Sequence, residues 1–105
     1  MKKYKLDSNG SPVPCPNLFE WAEWFETAQR QVKHDTFGEI RVSTVFLGID
    51  HNWREDGPPI LWETMVFGGP MNEEQHRCAG GIEQAEAMHA EMVGRLRAVL
   101  ALNEP

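Results

Sequence analysis

The sequence predicts a single α+β domain, residues 1–105, in which two helices pack on one face of an antiparallel sheet of three to four strands. Three observations support this prediction. Two long apolar segments are joined by a polar loop that contains Gly57 and two prolines, as in a pair of antiparallel strands. A segment on either side of this pair repeats apolar residues at helical spacing. The 105 residues leave room for one hydrophobic core.

The N-terminal part predicts a short strand within residues 1–6, a turn, and then the first helix. Asn17 suits a helix N-cap, with Glu20 three residues later as its capping-box partner. The helix is predicted over residues 18–32, and residues 33–38 are predicted to end it. Its apolar residues share one face at helical spacing: Leu18, Trp21, Ala22, Phe25, Ala28 and Val32.

The two central strands are predicted at residues 39–50 and 60–67. Both faces of this pair are largely apolar, whereas a sheet with one face in water alternates apolar and polar residues. Because two helices cover one face, the other face needs a cover of its own. A homodimer that stacks sheet on sheet, a bound partner, or the loop of Trp53 folded over that face would each supply one. The residues predicted to form the dimer surface are Val45, Leu47, Trp62 and Val66.

The C-terminal part predicts a short edge strand at residues 75–79 and a long helix at residues 82–102. Gly80 and Gly81 separate the two. The predicted order along the chain is therefore β-α-β-β-β-α. The helix carries one apolar stripe, in which His89 is the polar member: Ile82, Ala85, His89, Met92, Val93, Leu96, Val99 and Leu100.

The charge of the chain limits the classes of partner. The formal net charge is −6 and the sequence pI is about 5.1. A nucleic-acid binder needs a basic stripe that displaces counterions, and an anionic membrane also attracts basic segments. We therefore expect neither nucleic acid nor membrane as a partner. Cys15 and Cys78 form no CxxC pair, so we expect reduced thiols and a cytoplasmic protein.

A few polar residues within the apolar segments are candidates for chemistry. His89 needs hydrogen-bond partners if it is buried, and Glu63 and Thr64 are the candidates. A structural histidine is one interpretation, and a proton-transfer or ligand site of His51, Glu63 and His89 is the other. Asp50 beside His51 resembles an acid–imidazole pair, although neighbouring strand residues point to opposite faces. No metal site and no cofactor are predicted, because nothing in the spacing shows three converging ligands.

A second pair of candidates lies on the predicted edge strand. His76 and Cys78 alternate along the strand and so share a face, which permits a Cys–His dyad. Two residues are a weak signal. Cys15 stands between two prolines with no base nearby, and we expect it to be packed.

Part of the chain resembles a known group of proteins. The segments RVSTVFLGIDHNW and GPPILWETMVFGGP, followed by AEAMHAEMV, resemble small proteins that are encoded in bacteriophage and prophage genomes and described as hypothetical. The resemblance covers roughly residues 39–94. In those proteins an aromatic residue followed by Ser or Thr leads into the last helix, and residues 78–81 stand at that place here. The resemblance implies a phage origin and implies no activity or site residue.

Two hypotheses of function follow, and a minor virion component is a third that the sequence does not separate from the first. The first is a small acidic interaction protein of phage origin that binds itself and a host or phage protein, for example as an inhibitor of a host defence system. Trp53, with the acidic residues Glu55 and Asp56, would be its exposed contact. The second is a small enzyme or ligand-binding protein that uses His51, Glu63 and His89.

Overall fold

The computed structural model describes residues 2–54 and 56–103. Within these ranges, six strands and two α-helices follow one another in the order β-β-α-β-β-β-β-α, and a short 3-10 helix, Gly69–Met71, lies between the last two strands. Their bounds are β1 Tyr4–Leu6, β2 Pro12–Pro14, α1 Leu18–Thr27, β3 Gln31–Phe37, β4 Ile40–Phe46, β5 Ile60–Phe67, β6 Gln75–Ala79 and α2 Ile82–Leu102. The first two strands form a separate antiparallel hairpin, and the other four form one antiparallel sheet in the order β3-β4-β5-β6.

The four-stranded sheet is a meander in which each strand pairs with the next along the chain. Between β3 and β4 the turn is two residues long, because Phe37 pairs with Ile40. Gly38 takes a φ of 63° there, a conformation that suits glycine at the first central position of a tight hairpin turn. Gln31 and Lys33 flank a bulge in β3. Residues that this register places opposite each other lie on the same face of the sheet.

Helix α2 crosses all four strands and covers one face of the sheet. The apolar side chains between helix and sheet form the core, and each is almost fully buried. Burying side chains of this size supplies the main favourable free energy of folding, about 1.5–3 kcal/mol for each large one. The buried core residues are Val42, Phe46, Leu61, Trp62, Val66, Ala85, Met92 and Leu96.

Helix α1 packs against β1 at one end of the sheet. The Asn17 side chain accepts a hydrogen bond from the Glu20 backbone N–H at 3.0 Å, which confirms the predicted N-cap. Trp24 of this helix meets the core residue Phe46 edge to face, with ring centroids 5.9 Å apart. The indole N–H of Trp21 donates to the carbonyls of Tyr4, at 3.0 Å, and Gly48, at 3.1 Å. These contacts fasten α1 and the hairpin to the sheet.

The predicted fold class is confirmed, and so are the bounds of three elements. The strands at 60–67 and 75–79 and the helix at 82–102 lie where the sequence predicts them. The first helix is shorter than predicted and ends at Thr27. Ala28 is extended, with φ −72° and ψ 143°, and its backbone N–H donates to the Trp24 carbonyl.

The strand β3 is absent from the sequence prediction. The sequence instead predicts the last residues of the first helix and the segment 33–38 that ends it. In the structure they pair with β4, and this long-range pairing outweighs the helical spacing of Ala28 and Val32. Strand β4 is also shorter than the predicted 39–50. Beyond Phe46 the backbone N–H of Leu47 still donates to the Leu61 carbonyl at 2.7 Å, so the chain stays beside β5.

Candidate functional site

The loop between β4 and β5 is shaped by the side chain of Asp50. This segment, residues 50–59 without the undescribed Glu55, is called the Trp53 loop here. Asp50 Oδ1 accepts hydrogen bonds from the backbone N–H of Asn52, at 2.8 Å, and of Ile60, at 2.9 Å. One carboxylate therefore joins the start of the loop to its end. Asp50 thus accepts hydrogen bonds from backbone N–H groups, as an Asp residue in an Asx turn does. Among the described residues, no hydrogen bond joins it to the His51 ring.

A second side chain, that of Asn52, completes the loop. Its Nδ2 donates to the carbonyls of Asp56, at 3.2 Å, and Pro58, at 2.9 Å. Its Oδ1 accepts from the backbone N–H of Arg54 at 3.0 Å. Each of these bonds replaces water on a backbone group of the loop and restricts its conformations. The loop is thus held by short polar side chains, without regular secondary structure.

Trp53 is presented to solvent at the tip of this loop. Its side chain is 72% exposed, whereas Trp62 in the core is 0% exposed. The ring of His51 approaches it edge to face, with centroids 6.5 Å apart. A groove of about 430 Å³ opens beside the indole. It is lined by Lys2, Tyr4, Asp50, Asn52, Trp53, Arg54, Gly57 and Pro59. Tryptophan is one of the residue types that are enriched among the energetically dominant contacts of protein interfaces.

His89 is the centre of a buried polar network. Its side chain is 2% exposed. Nδ1 lies 2.7 Å from Thr44 Oγ1, which in turn lies 2.5 Å from Thr64 Oγ1. On the other side of the ring, Nε2 lies 2.7 Å from Asp35 Oδ2. The neutral ring with its proton on Nε2 satisfies the series, because it donates to Asp35 and accepts from Thr44. The predicted structural role of His89 is consistent with these bonds.

The order acid–imidazole–hydroxyl in this network is also the order that activates a nucleophile in hydrolases. Here the hydroxyls cannot meet a substrate, because Thr44 and Thr64 are both 0% exposed. Only the Asp35 end reaches the surface, where its side chain is 46% exposed. The hydrogen bond from His89 lowers the pKa of the Asp35 carboxyl and outweighs the opposing effect of desolvation. The network joins α2 to β4, β5 and the edge strand β3.

The predicted site of His51, Glu63 and His89 does not form in the structure. Glu63 lies opposite Val45 on β4, whereas His89 bonds to Thr44, and neighbouring strand residues point to opposite faces. Glu63 instead accepts a hydrogen bond from Arg77 Nε at 2.8 Å. His51 Nδ1 lies 2.8 Å from the Ile49 carbonyl. Each of the three side chains thus has separate partners.

The predicted dimer surface also needs correction. The register pairs Val66 with Val42 and Trp62 with Phe46, all of them beneath α2 and 0% exposed. Val45 lies on the opposite face, and Val45 and Leu47 are both partly exposed. A one-residue difference in register changes the face, so the four residues cannot form one surface. The uncovered face also carries more polar groups than predicted: His34, Thr36, Arg41, Ser43, Glu63, Gln75 and Arg77.

The histidine and cysteine of the edge strand form no dyad among the described residues. His76 Nε2 lies 3.0 Å from Arg95 and 3.5 Å from Glu74. Burial raises the pKa of the Cys78 thiol, which lowers the fraction of reactive thiolate. Cys15 is buried, as expected, and both cysteines are free.

Within 2–54 and 56–103, no group of three His, Cys, Asp or Glu side chains is placed to hold a metal ion. In the same ranges, neither helix combines the length and apolar character needed to cross a membrane. Comparison with protein-family models, curated proteins and solved structures finds no match to the chain.

Sequence reasoning missed two residues that shape these sites. The sequence places Asp35 only in the segment that ends the first helix, and no local pattern links it to His89, which lies 54 residues away. Asn52 is identified from the sequence only as one residue of a polar loop. The spacing of Asp50, Asn52, Gly57 and Pro58 is the signal that could have identified an ordered loop, since Asp and Asn cap turns and Gly and Pro fix them.

Proposed function

We propose that this chain is a small acidic interaction protein that binds another protein through the Trp53 loop. The observation that carries the proposal is the exposed indole of Trp53 on a loop that Asp50 and Asn52 hold in shape. A loop whose backbone is held in shape before binding loses less conformational entropy when the complex forms. The groove beside the indole offers a place for a side chain of the partner.

The charge of the chain suggests the character of the partner. The net charge of −6 favours a partner with a basic surface, because opposite potentials speed association and select against acidic surfaces. We take the partner to be a protein of the bacterial host or of a phage, in line with the phage-like sequence of residues 39–94. A phage-encoded inhibitor of a host defence protein is the concrete form of this proposal. Self-association in the cytoplasm is part of it.

Affinity purification with matched variants tests the proposal. Tagged wild type, Trp53→Ala and Leu102→Ala are expressed in a bacterial host, and retained proteins are quantified by mass spectrometry. Leu102 is the control, because its side chain is apolar and 84% exposed but lies at the end of α2. We expect a partner that wild type and Leu102→Ala retain equally and that Trp53→Ala retains at least about tenfold less, as for an interface hot spot. Equal retention of every protein by all three forms would refute a role of Trp53.

The inhibitor form of the proposal has its own assay. Cells that carry a defence system are challenged with a phage while they express wild type or Trp53→Ala. Wild type should restore plaque formation, and the variant should restore less. Restoration by both forms to the same level would place the inhibitory surface elsewhere.

A further inference from the structure

Strand β3 is an edge of the four-stranded sheet. The sheet order places β4 on one side of it, and among residues 2–54 and 56–103 no strand lies on the other. Four of its seven residues are exposed: Gln31, Lys33, His34 and Thr36. An open strand edge offers unpaired backbone N–H and C=O groups to another extended chain.

The register shows which residues of β3 direct their backbone outward. Phe37 and Ile40 flank the two-residue turn and so form a hydrogen-bonded pair. Hydrogen-bonded and non-bonded pairs alternate along an antiparallel ladder, so Asp35 and Lys33 also bond to β4. His34 and Thr36, between them, direct their N–H and C=O groups toward the open edge.

We propose that a second copy of this chain pairs with β3 in antiparallel register about His34. The inference rests on the self-association that is part of the proposed function, and it names the surface. In this register the two His34 residues exchange backbone hydrogen bonds. Lys33 of each copy then lies opposite Asp35 of the other, as a close non-bonded pair. Two opposite-charge pairs thus flank the two-fold axis.

Two neighbouring registers are disfavoured by charge. Pairing about Lys33 would place two ammonium groups opposite each other, and pairing about Asp35 would do the same with two carboxylates. Like charges directly opposite each other destabilise a strand pair. The sequence Lys33-His34-Asp35 is therefore complementary to itself in charge in the register about His34.

The side chains at this edge have room for the second copy. Asp35 bonds to His89 through Oδ2, and the other carboxylate oxygen can accept from Lys33 of the second copy. A groove of about 550 Å³ runs beside β3 along α2, where Ala90 and Gly94 are small. A Cβ added to Gly94 would meet no atom within 4 Å. Two-fold pairing uses the β3 edge of both copies, so neither β3 edge is left open to a third copy.

Sedimentation equilibrium with edge variants tests the inference. Wild type should approach twice the chain mass of 12.0 kDa at high concentration. His34→Pro removes the outward N–H and should abolish the dimer, whereas His34→Ala should retain it within about threefold in dissociation constant, because the backbone groups remain. Lys33→Glu should raise the dissociation constant at least about tenfold, since two attractive pairs become repulsive. Circular dichroism checks that each variant is folded.

A variant on the uncovered face separates this inference from sheet stacking. Val45→Lys places a charge on that face opposite Glu63 and should leave edge pairing unchanged. A dimer that persists in His34→Pro and Lys33→Glu but is lost in Val45→Lys overturns edge pairing and retains self-association. A wild type that stays monomeric at all concentrations overturns both, and binding through Trp53 is then judged by its own assay.

Discussion

His89 Nε2 lies 2.7 Å from Asp35 Oδ2, and this contact joins the middle of α2 to the edge strand β3 across 54 residues of sequence. The imidazole is buried, while the carboxylate reaches the surface. Through Nδ1 the same ring reaches Thr44 on the neighbouring strand. One side chain thereby ties the helix to two strands.

Substitutions of Thr44 and Thr64 should lower the free energy of unfolding by different amounts. Thr44→Val removes the partner of His89 Nδ1 as well as that of Thr64, and should lower the free energy of unfolding by about 2–3 kcal/mol, because it leaves buried polar atoms unsatisfied. Thr64→Val keeps the Thr44–His89 bond and should cost about 1 kcal/mol. Urea unfolding followed by circular dichroism measures both. Equal losses would show that the bond to His89 contributes nothing.

The stability of the protein should fall in acid through Asp35. The pKa of this carboxyl is lowered in the folded state, chiefly by the hydrogen bond from His89. A lowered pKa means that the stabilisation is complete above the ordinary aspartate pKa of about 3.9 and is lost as pH falls through the folded-state pKa. Asp35→Asn keeps an acceptor for Nε2–H and should reduce this pH dependence. Denaturant midpoints from pH 2 to 6 test it, and identical pH profiles would contradict it.

Two glycine substitutions should separate backbone strain from a clash. Gly38 and Gly48 have positive φ values, 63° and 78°. A Cβ at Gly38 would meet no atom within 4 Å. Gly38→Ala should therefore lower the free energy of unfolding only by the conformational penalty of a positive φ, about 1 kcal/mol. A Cβ at Gly48 would lie 3.1 Å from the Phe25 ring, so Gly48→Ala should cost at least about 1 kcal/mol more. Thermal unfolding of both variants tests the order, and a smaller loss for Gly48→Ala would contradict it.

Substitution of the buried Trp62 should cost much more stability than substitution of the exposed Trp53. Trp62→Ala removes a buried ring whose indole N–H donates to the Gly80 carbonyl, and should cost about 3–5 kcal/mol. Trp53→Ala removes an exposed ring and should change stability by no more than about 0.5 kcal/mol. Chemical unfolding measures both. A large loss for Trp53→Ala would mean that the indole supports the loop.

The elements that the sequence predicts well are those bounded by local signals. Ile60–Phe67 ends where glycines and a proline follow, and Gly80 and Gly81 separate β6 from α2. Apolar spacing then identifies the buried side of α2, including His89. These features depend on residues close in sequence, so no knowledge of the fold is needed to find them.

The features that the sequence does not predict depend on distant pairing. β3 becomes a strand because β4 lies beside it, although Ala28 and Val32 continue the helical spacing. The prediction that Val45 lies on the same face as Val66 fails for a similar reason. The register that pairs Val66 with Val42 is set by the whole sheet. Asp35 becomes a partner of His89 only after both features are in place.

The position of α2 in the chain has a consequence for biosynthesis. The ribosome completes all four strands of the sheet before it reaches residues 82–102, and the face beneath α2 then has no cover. A nascent chain with Trp62 and Val66 open to water is prone to aggregate or to bind a chaperone. The bonds of His89 to Thr44 and Asp35 span 45 and 54 residues, so they form only after translation has passed His89. Stable folding therefore awaits the synthesis of this helix.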